Sequence, residues 1–161
     1  MKKVLIVSDT HGSNALYLKL IEKLAPLDMV IHLGDTDGTD QTILMAPPCP
    51  VHLVSGNNDY FSESPAEKII TVGKHKIMLT HGHHYYISMG NDVLKGEARS
   101  RGCDIVMYGH THRPVIDTSG GITAVNPGSL TYPRQEGRKP SYCLMTLDDD
   151  GEAHFEIFYL P

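Results

Sequence analysis

The 161-residue chain has a formal charge of −5, with 40% hydrophobic and 20% charged residues, the balance of a soluble globular protein with a single core. An acidic chain of this kind lacks the basic excess of a general nucleic-acid binder, so stable nucleic-acid binding is not expected. No run approaches the ~20 apolar residues that span a bilayer, Met1-Lys2-Lys3 precedes too short an apolar run for a signal core, and Cys49, Cys103 and Cys143 show no CxxC spacing; a cytoplasmic protein without membrane contact is expected.

The first apolar run, Val4 to Val7, reads as a strand ending in Ser8-Asp9-Thr10-His11-Gly12. Ser13 is placed to cap a helix whose Leu16, Leu20, Ile21 and Leu24 share one face and which Pro26 stops. A strand from Met29 to Leu33 runs into Gly34-Asp35, a short helix covers Asp40 to Met45, and Pro47-Pro48-Cys49-Pro50 breaks the chain before a strand from Val51 to Val54. This alternation argues for parallel strands joined by crossover helices.

From Glu67 onward the pattern changes. Lys68 to Val72 and His75 to Thr80, joined by Gly73-Lys74, read as a hairpin, and a helix from Asp92 to Arg101, stopped by Gly102, leads to a strand from Asp104 to Tyr108. The remaining strands, Val115 to Thr118, Ile122 to Val125, Ser141 to Leu147 and Glu152 to Leu160, are joined by Gly- and Asp-rich turns and read as antiparallel. The expected product is one α/β domain over residues 1–161, with two mixed sheets packed face to face and helices outside.

Five of these strands end in a polar tip: Asp9 and His11, Asp35, Asn57-Asn58-Asp59, His81, and His110-Thr111-His112. Side chains two apart in extended backbone project to the same side, so His110 and His112 can face one point. Neutral imidazole and carboxylate oxygen together suit borderline divalent ions such as manganese, iron, cobalt, nickel and zinc. Seven donors, Asp9, His11, Asp35, Asn57, His81, His110 and His112, exceed one tetrahedral ion and suit two ions that share a ligand. Asp35 is the natural bridge, because its carboxylate offers an oxygen to each. Two such ions, roughly 3.5–4 Å apart, hold a hydroxide and neutralise an oxyanion in an in-line displacement, the arrangement phosphoryl transfer needs.

These motifs, in this order and followed by Asn126-Pro127-Gly128-Ser129, resemble the calcineurin-like metallophosphoesterase superfamily, and the short length is similar to its small prokaryotic phosphodiesterase branch. The resemblance covers nearly the whole chain. It implies a four-layer αββα sandwich and a dinuclear phosphodiesterase that uses a metal-bridging hydroxide. By it, Asp9, His11, Asp35 and His112 hold one ion, and Asp35, Asn57, His81 and His110 the other, with manganese first among the metals and nickel, iron, cobalt or zinc as alternatives. Asn58 and Asp59 fall in the catalytic set, and Asn58, Arg113 and Arg134 are the residues expected to receive a small phosphoester. Arg138 and Lys139 read as a solvated loop, and Asp37 as a turn residue.

Asn58 departs from the family pattern, where many members have His. An amide has no proton to give at neutral pH, so leaving-group protonation falls to water or to His83 or His84. A second function class is a non-catalytic interaction scaffold resembling the retromer subunit of this fold, which has no need of the full donor set. The resemblance also implies dimers or tetramers, with Phe61, Tyr85, Tyr86 and Met89 as candidate contact residues.

Overall fold

The computed structural model describes residues 1–161. Ten strands form two five-stranded sheets. The first contains β1 (Lys2–Val7), β2 (Met29–His32), β3 (Val51–Leu53), β9 (Ser141–Leu147) and β10 (Ala153–Tyr159), in the order β10-β9-β1-β2-β3. The second contains β4 (Glu67–Val72), β5 (His75–Thr80), β6 (Ile105–Met107), β7 (Pro114–Asp117) and β8 (Thr123–Pro127), in the order β4-β5-β6-β8-β7.

The strands have apolar residues on both faces, and the twofold alternation of side chains decides where each goes. Val4 and Ile6 of β1, Ile31 of β2, Ile77 and Leu79 of β5 and Met107 of β6 fill the space between the sheets. Leu5 and Val7 point the other way, onto helices α1 (Ala15–Leu24) and α2 (Asp40–Met45), where Tyr17, Leu20, Ile21 and Ile43 cover them. The outer face of the second sheet is covered by helix α3 (Asp92–Ser100), whose Leu94 and Ala98 pack with Met78, Val106 and Ala124. The layers are therefore helix, sheet, sheet, helix, as expected. No helix is long and apolar enough to cross a membrane.

Two local expectations differ. Ser13 does not cap α1; its amide closes a turn on the Thr10 carbonyl at 3.0 Å, so Ser13 belongs to the loop after β1 and Asn14 takes the cap position without a side-chain bond. The late strands are not all antiparallel. β8 pairs with β7 antiparallel but with β6 parallel, Met107 opposite Val125, because the chain passes through β7 at the edge and returns beside β6.

Parallel pairing fixes the site's location. β1, β2 and β3 run side by side, as do β5 and β6, so their carboxyl ends lie along one edge of each sheet, where α/β proteins collect their functional loops. The inter-sheet core holds those two edges together. Leu79 is fully buried there, and Leu79→Ala is expected to lower unfolding free energy by about 2–5 kcal/mol in a urea titration; a loss below ~1 kcal/mol would mean the sheets are not held by this core.

Candidate metal centre

The loops after β1, β2, β5 and β6 bring Asp9, His11, Asp35, His81 and His112 to one place. His112 Nε2 lies 3.2 Å from Asp9 Oδ1 and 3.2 Å from His11 Nε2. His81 Nε2 lies 3.4 Å from Asp35 Oδ2 and 3.7 Å from Asp9 Oδ1, while His11 Nε2 lies 3.8 Å from Asp35 Oδ2. These atoms form two triads, Asp9-His11-His112 and Asp9-Asp35-His81. Asp9 belongs to both, and Asp35 Oδ2 also stands between His11 and His81. His110 lies outside both triads, and its Nδ1 is 3.1 Å from Asn57 Oδ1.

The backbone is forced to make this possible. Asp9, His11, Asp35, His110 and His112 all have left-handed φ, from 48° to 70°. Non-glycine residues in this region cost about 1–3 kcal/mol each and collect at functional sites. Gly56 and Gly109 allow the loops to touch. A Cβ at Gly56 would strike the Asp35 carboxylate, and one at Gly109 would strike Ser8 and Asp9.

Each imidazole is oriented by its other nitrogen. His81 Nδ1 donates to the Leu33 carbonyl at 2.7 Å, and His112 Nδ1 to the Tyr132 carbonyl at 2.7 Å. His11 Nδ1 faces Asp37 Oδ2 at 3.0 Å. Proton on Nδ1 means lone pair on Nε2, so three Nε2 lone pairs and two carboxylates converge on one another. Acceptors facing acceptors repel unless a cation or a proton stands between them. Asp9 Oδ1 and His81 Nε2 are indeed buried with no hydrogen-bond partner, an expensive arrangement for polar atoms. Donor type, convergence and these orphaned atoms all fit a divalent cation.

Without a cation, protons take up the tension. Burial pulls the His81 pKa down, but the Asp35 carboxylate 3.4 Å from its Nε2 and the field of Asp9 outweigh burial and lift it to about 9. Burial pushes the Asp35 carboxyl up, yet His81 and the two Asn58 bonds hold it well below the usual carboxylate range. Asp9 is lowered too, burial being overcome by His112, His81 and Ser8.

Several supporting groups lie outside the expected set. Asp59 lines the edge of a cleft but bonds no histidine. Its carboxylate accepts the backbone N–H groups of Asp35 (2.7 Å), Thr36 (3.0 Å), Asp37 (3.0 Å) and Gly56 (2.8 Å), so it shapes the Asp35 loop. The orienting role falls to Asp37. Asn58 turns both donors onto Asp35, its backbone N–H at 2.9 Å and its amide at 3.0 Å. His32 is fully buried beneath the site, bonding Thr10 at 3.0 Å and accepting the Gly34 N–H at 3.1 Å, and burial lowers its pKa to about 4. Asn126 braces the Gly109 turn, and Ser129 donates to the Asp9 carbonyl at 2.8 Å. The Tyr85 hydroxyl is bonded to Glu67.

The profile of the calcineurin-like phosphoesterase superfamily domain matches residues 1–150. The chain belongs to this family. Among curated relatives, it is 32% identical to the probable metallophosphoesterase MG207 of Mycoplasma genitalium, over 99% of this chain and 96% of that one. It is 28% identical to the phosphodiesterase YfcE of Escherichia coli strain K12, over 93% and 89%. Among solved structures, a predicted phosphoesterase of Streptococcus pneumoniae superposes with TM-score 0.81 at 26% identity, covering 99% and 98% of the two chains. Vps29 of Entamoeba histolytica complexed with zinc superposes with TM-score 0.78 at 25% identity, covering 98% of each.

Three clefts open around this phosphoesterase-family site. One of about 830 Å³ runs past Asn58 and Asp37 and is flanked by exposed Tyr60 and Phe61. A second, about 620 Å³, is lined by His110, Tyr108, Arg113 and Arg134. A third, about 600 Å³, contains His11, His112 and Tyr132 with Arg113, Arg134 and Arg138. Arg138, read from sequence as loop surface, is part of the site's rim.

The histidine proton has a measurable signature. A pKa raised from 6.5 to about 9 means the folded state binds this proton more tightly than the unfolded chain. That contribution is complete below pH 6.5 and fades as pH rises through 9, whereas the lowered pKa values of Asp9 and Asp35 stabilise above the ordinary carboxylate range and are lost in acid. The urea midpoint of chelator-treated protein should therefore fall between pH 6.5 and 9, and His81→Gln should flatten the decline; a flat wild-type profile would contradict the convergence.

Proposed function

We propose that the chain is a dinuclear metal-dependent phosphodiesterase for small phosphoesters. The observation that carries this reading is the meeting of carboxylate and imidazole donor atoms from four loops, with two buried atoms left unpartnered. In this reading Asp9, His11, Asp35 and His112 hold one divalent ion, and Asp35, Asn57, His81 and His110 the other. Manganese is the first choice, and nickel, iron, cobalt and zinc share the same donor chemistry. When bound, the pair supplies Lewis acidity to the phosphoryl oxygens and a deprotonated water as nucleophile. The name of the Escherichia coli relative supports a diester substrate.

The chain's own residues set the rest of the chemistry. Tyr132, Leu33 and Asp37 fix the imidazole tautomers, so the donors are aligned before substrate arrives. Asn58 holds both Asp35 oxygens and places an amide beside the largest cleft. Arg113 and Arg134 stand where an anionic ester enters. Asn58 offers no acid, which leaves water, His83 or His84 as the proton source. Burial and the neighbouring imidazoles of His84, His81 and His110 lower the His83 pKa to about 4, leaving it neutral at neutral pH. The leaving group must then depart as a stable anion.

The interaction-scaffold reading is supported by the likeness to Vps29 but gives no reason to keep seven donors, five of them on strained backbone. Asp35→Asn is expected to reduce manganese-dependent hydrolysis of bis(p-nitrophenyl) phosphate by about two to three orders of magnitude, and chelation should abolish it. Turnover that survives both would remove the metallohydrolase reading. The absent acid predicts a preference for aryl over alkyl diesters of about a hundredfold or more in steady-state rates; equal rates would show that a proton donor is present after all.

A further inference from the structure

The five arginines divide into two groups. Arg99 and Arg101, at the end of α3, are committed to the protein: Arg99 donates to the Gly120 carbonyl at 2.8 Å, and Arg101 pairs with Glu67 at 3.0 Å and Glu97 at 2.8 Å. Arg113, Arg134 and Arg138 are exposed, and their guanidinium groups have neither a hydrogen bond nor a carboxylate partner in the chain. All three line the one cleft that also contains His11 and His112. In a chain of net charge −5, three uncompensated cations at one edge of the site are a local reversal of sign.

The cleft is firmly built. Arg134 N–H donates to the His112 carbonyl at 3.0 Å, while His112 Nδ1 donates to the Tyr132 carbonyl at 2.7 Å, so the arginine loop and a candidate ligand fix each other. Thr131 Oγ1 ties the same loop to the Thr10 carbonyl at 2.7 Å, and Gln135 closes it on the Lys139 carbonyl at 2.7 Å. Glu136, the loop's carboxylate, pairs with none of the three arginines and does not line the cleft. The cleft on the Asn58 side has the opposite character, with Asp37, Asp40 and Glu63 beside Tyr60 and Phe61.

Guanidinium groups match phosphate oxygens in charge and in forked geometry. A simple diester carries one negative charge, which the cation pair of the proposed function already meets. Three arginines in addition exceed what that single charge requires, even with Arg113 and Arg134 guiding the ester in. We propose that this cleft is a subsite for a second phosphoryl group, so that the substrate is a phosphodiester whose alcohol portion carries an additional phosphate. The inference rests on the phosphodiesterase reading for the reacting group, and it adds a polarity: phosphate tail toward Arg138, neutral or aromatic portion toward Phe61.

The test uses the full-length, manganese-loaded protein and two matched pairs of probes. Calorimetry compares thymidine monophosphate with the same nucleotide phosphorylated on its other sugar hydroxyl, and steady-state assays compare the corresponding p-nitrophenyl diesters with and without the extra phosphate. The doubly phosphorylated members should bind about tenfold or more tightly and have a correspondingly lower KM, the gap narrowing as salt rises. Arg138→Ala and Arg134→Ala should bring the ratio toward one, with Arg138→Lys intermediate. Both side chains to be changed are exposed, so the substitutions remove no core packing. Equal affinity for the two nucleotides in the wild type, or a ratio unmoved by the variants, overturns the subsite even if the simple ester is hydrolysed. A persistent binding preference without turnover of either ester upholds the subsite and sinks the phosphodiesterase reading.

Discussion

The repulsion between acceptors at the strand ends is the constraint on which the rest of the structure depends. Asp9, Asp35 and three imidazole Nε2 atoms face one another with every orienting proton committed elsewhere, to Leu33, Tyr132 or Asp37. Left alone, such a cluster would spread apart. Left-handed backbone at five donors, Asp59 gripping four amides of the facing loops, and Asn126 and Ser129 bracing the turns beside Asp9 all oppose that spreading. Local strain and buried unpartnered atoms cost stability, and the inter-sheet core holds the loops in place against that cost.

The two sheets contribute unequal halves. The first supplies Asp9, His11, Asp35 and Asn57, the carboxylate-rich half, and the second supplies His81, His110 and His112, the imidazole half. Neither half alone makes a complete ion site. Their union at one edge also sets the electrostatic asymmetry of the rim, with arginines on the His112 side and carboxylates with aromatic rings on the Asn58 side.

Much of this was legible in the residues. Twofold alternation located the strands, and the polar tips of five of them pointed to the side chains that converge, because periodicity and turn chemistry are local properties. What stayed hidden depends on partners far along the chain. Asp37 looks like any turn aspartate until His11, 26 residues earlier, is seen against it. Asp59 follows two asparagines as a cap would, yet its bonds reach back 22 to 24 residues as well as to Gly56. His32 sits in a strand and gives no hint that it lies under the site. The parallel pairing of β6 with β8 was missed because the short path through β7 resembles a meander. Arg138 lies on an exposed loop, as read, but nothing in a sequence shows that its charge lacks a counterion.

The position of β1 carries a last consequence. This strand bears Asp9 at its tip and lies in the middle of its sheet, with β2 on one side and β9 on the other. Its partner residues in β9, Cys143 to Leu147, are made more than a hundred residues later. As the polypeptide leaves the ribosome, one flank of β1 therefore stays bare until β9 has emerged. The sheet that bears the carboxylates is completed only after every side chain of the convergent cluster has already been made.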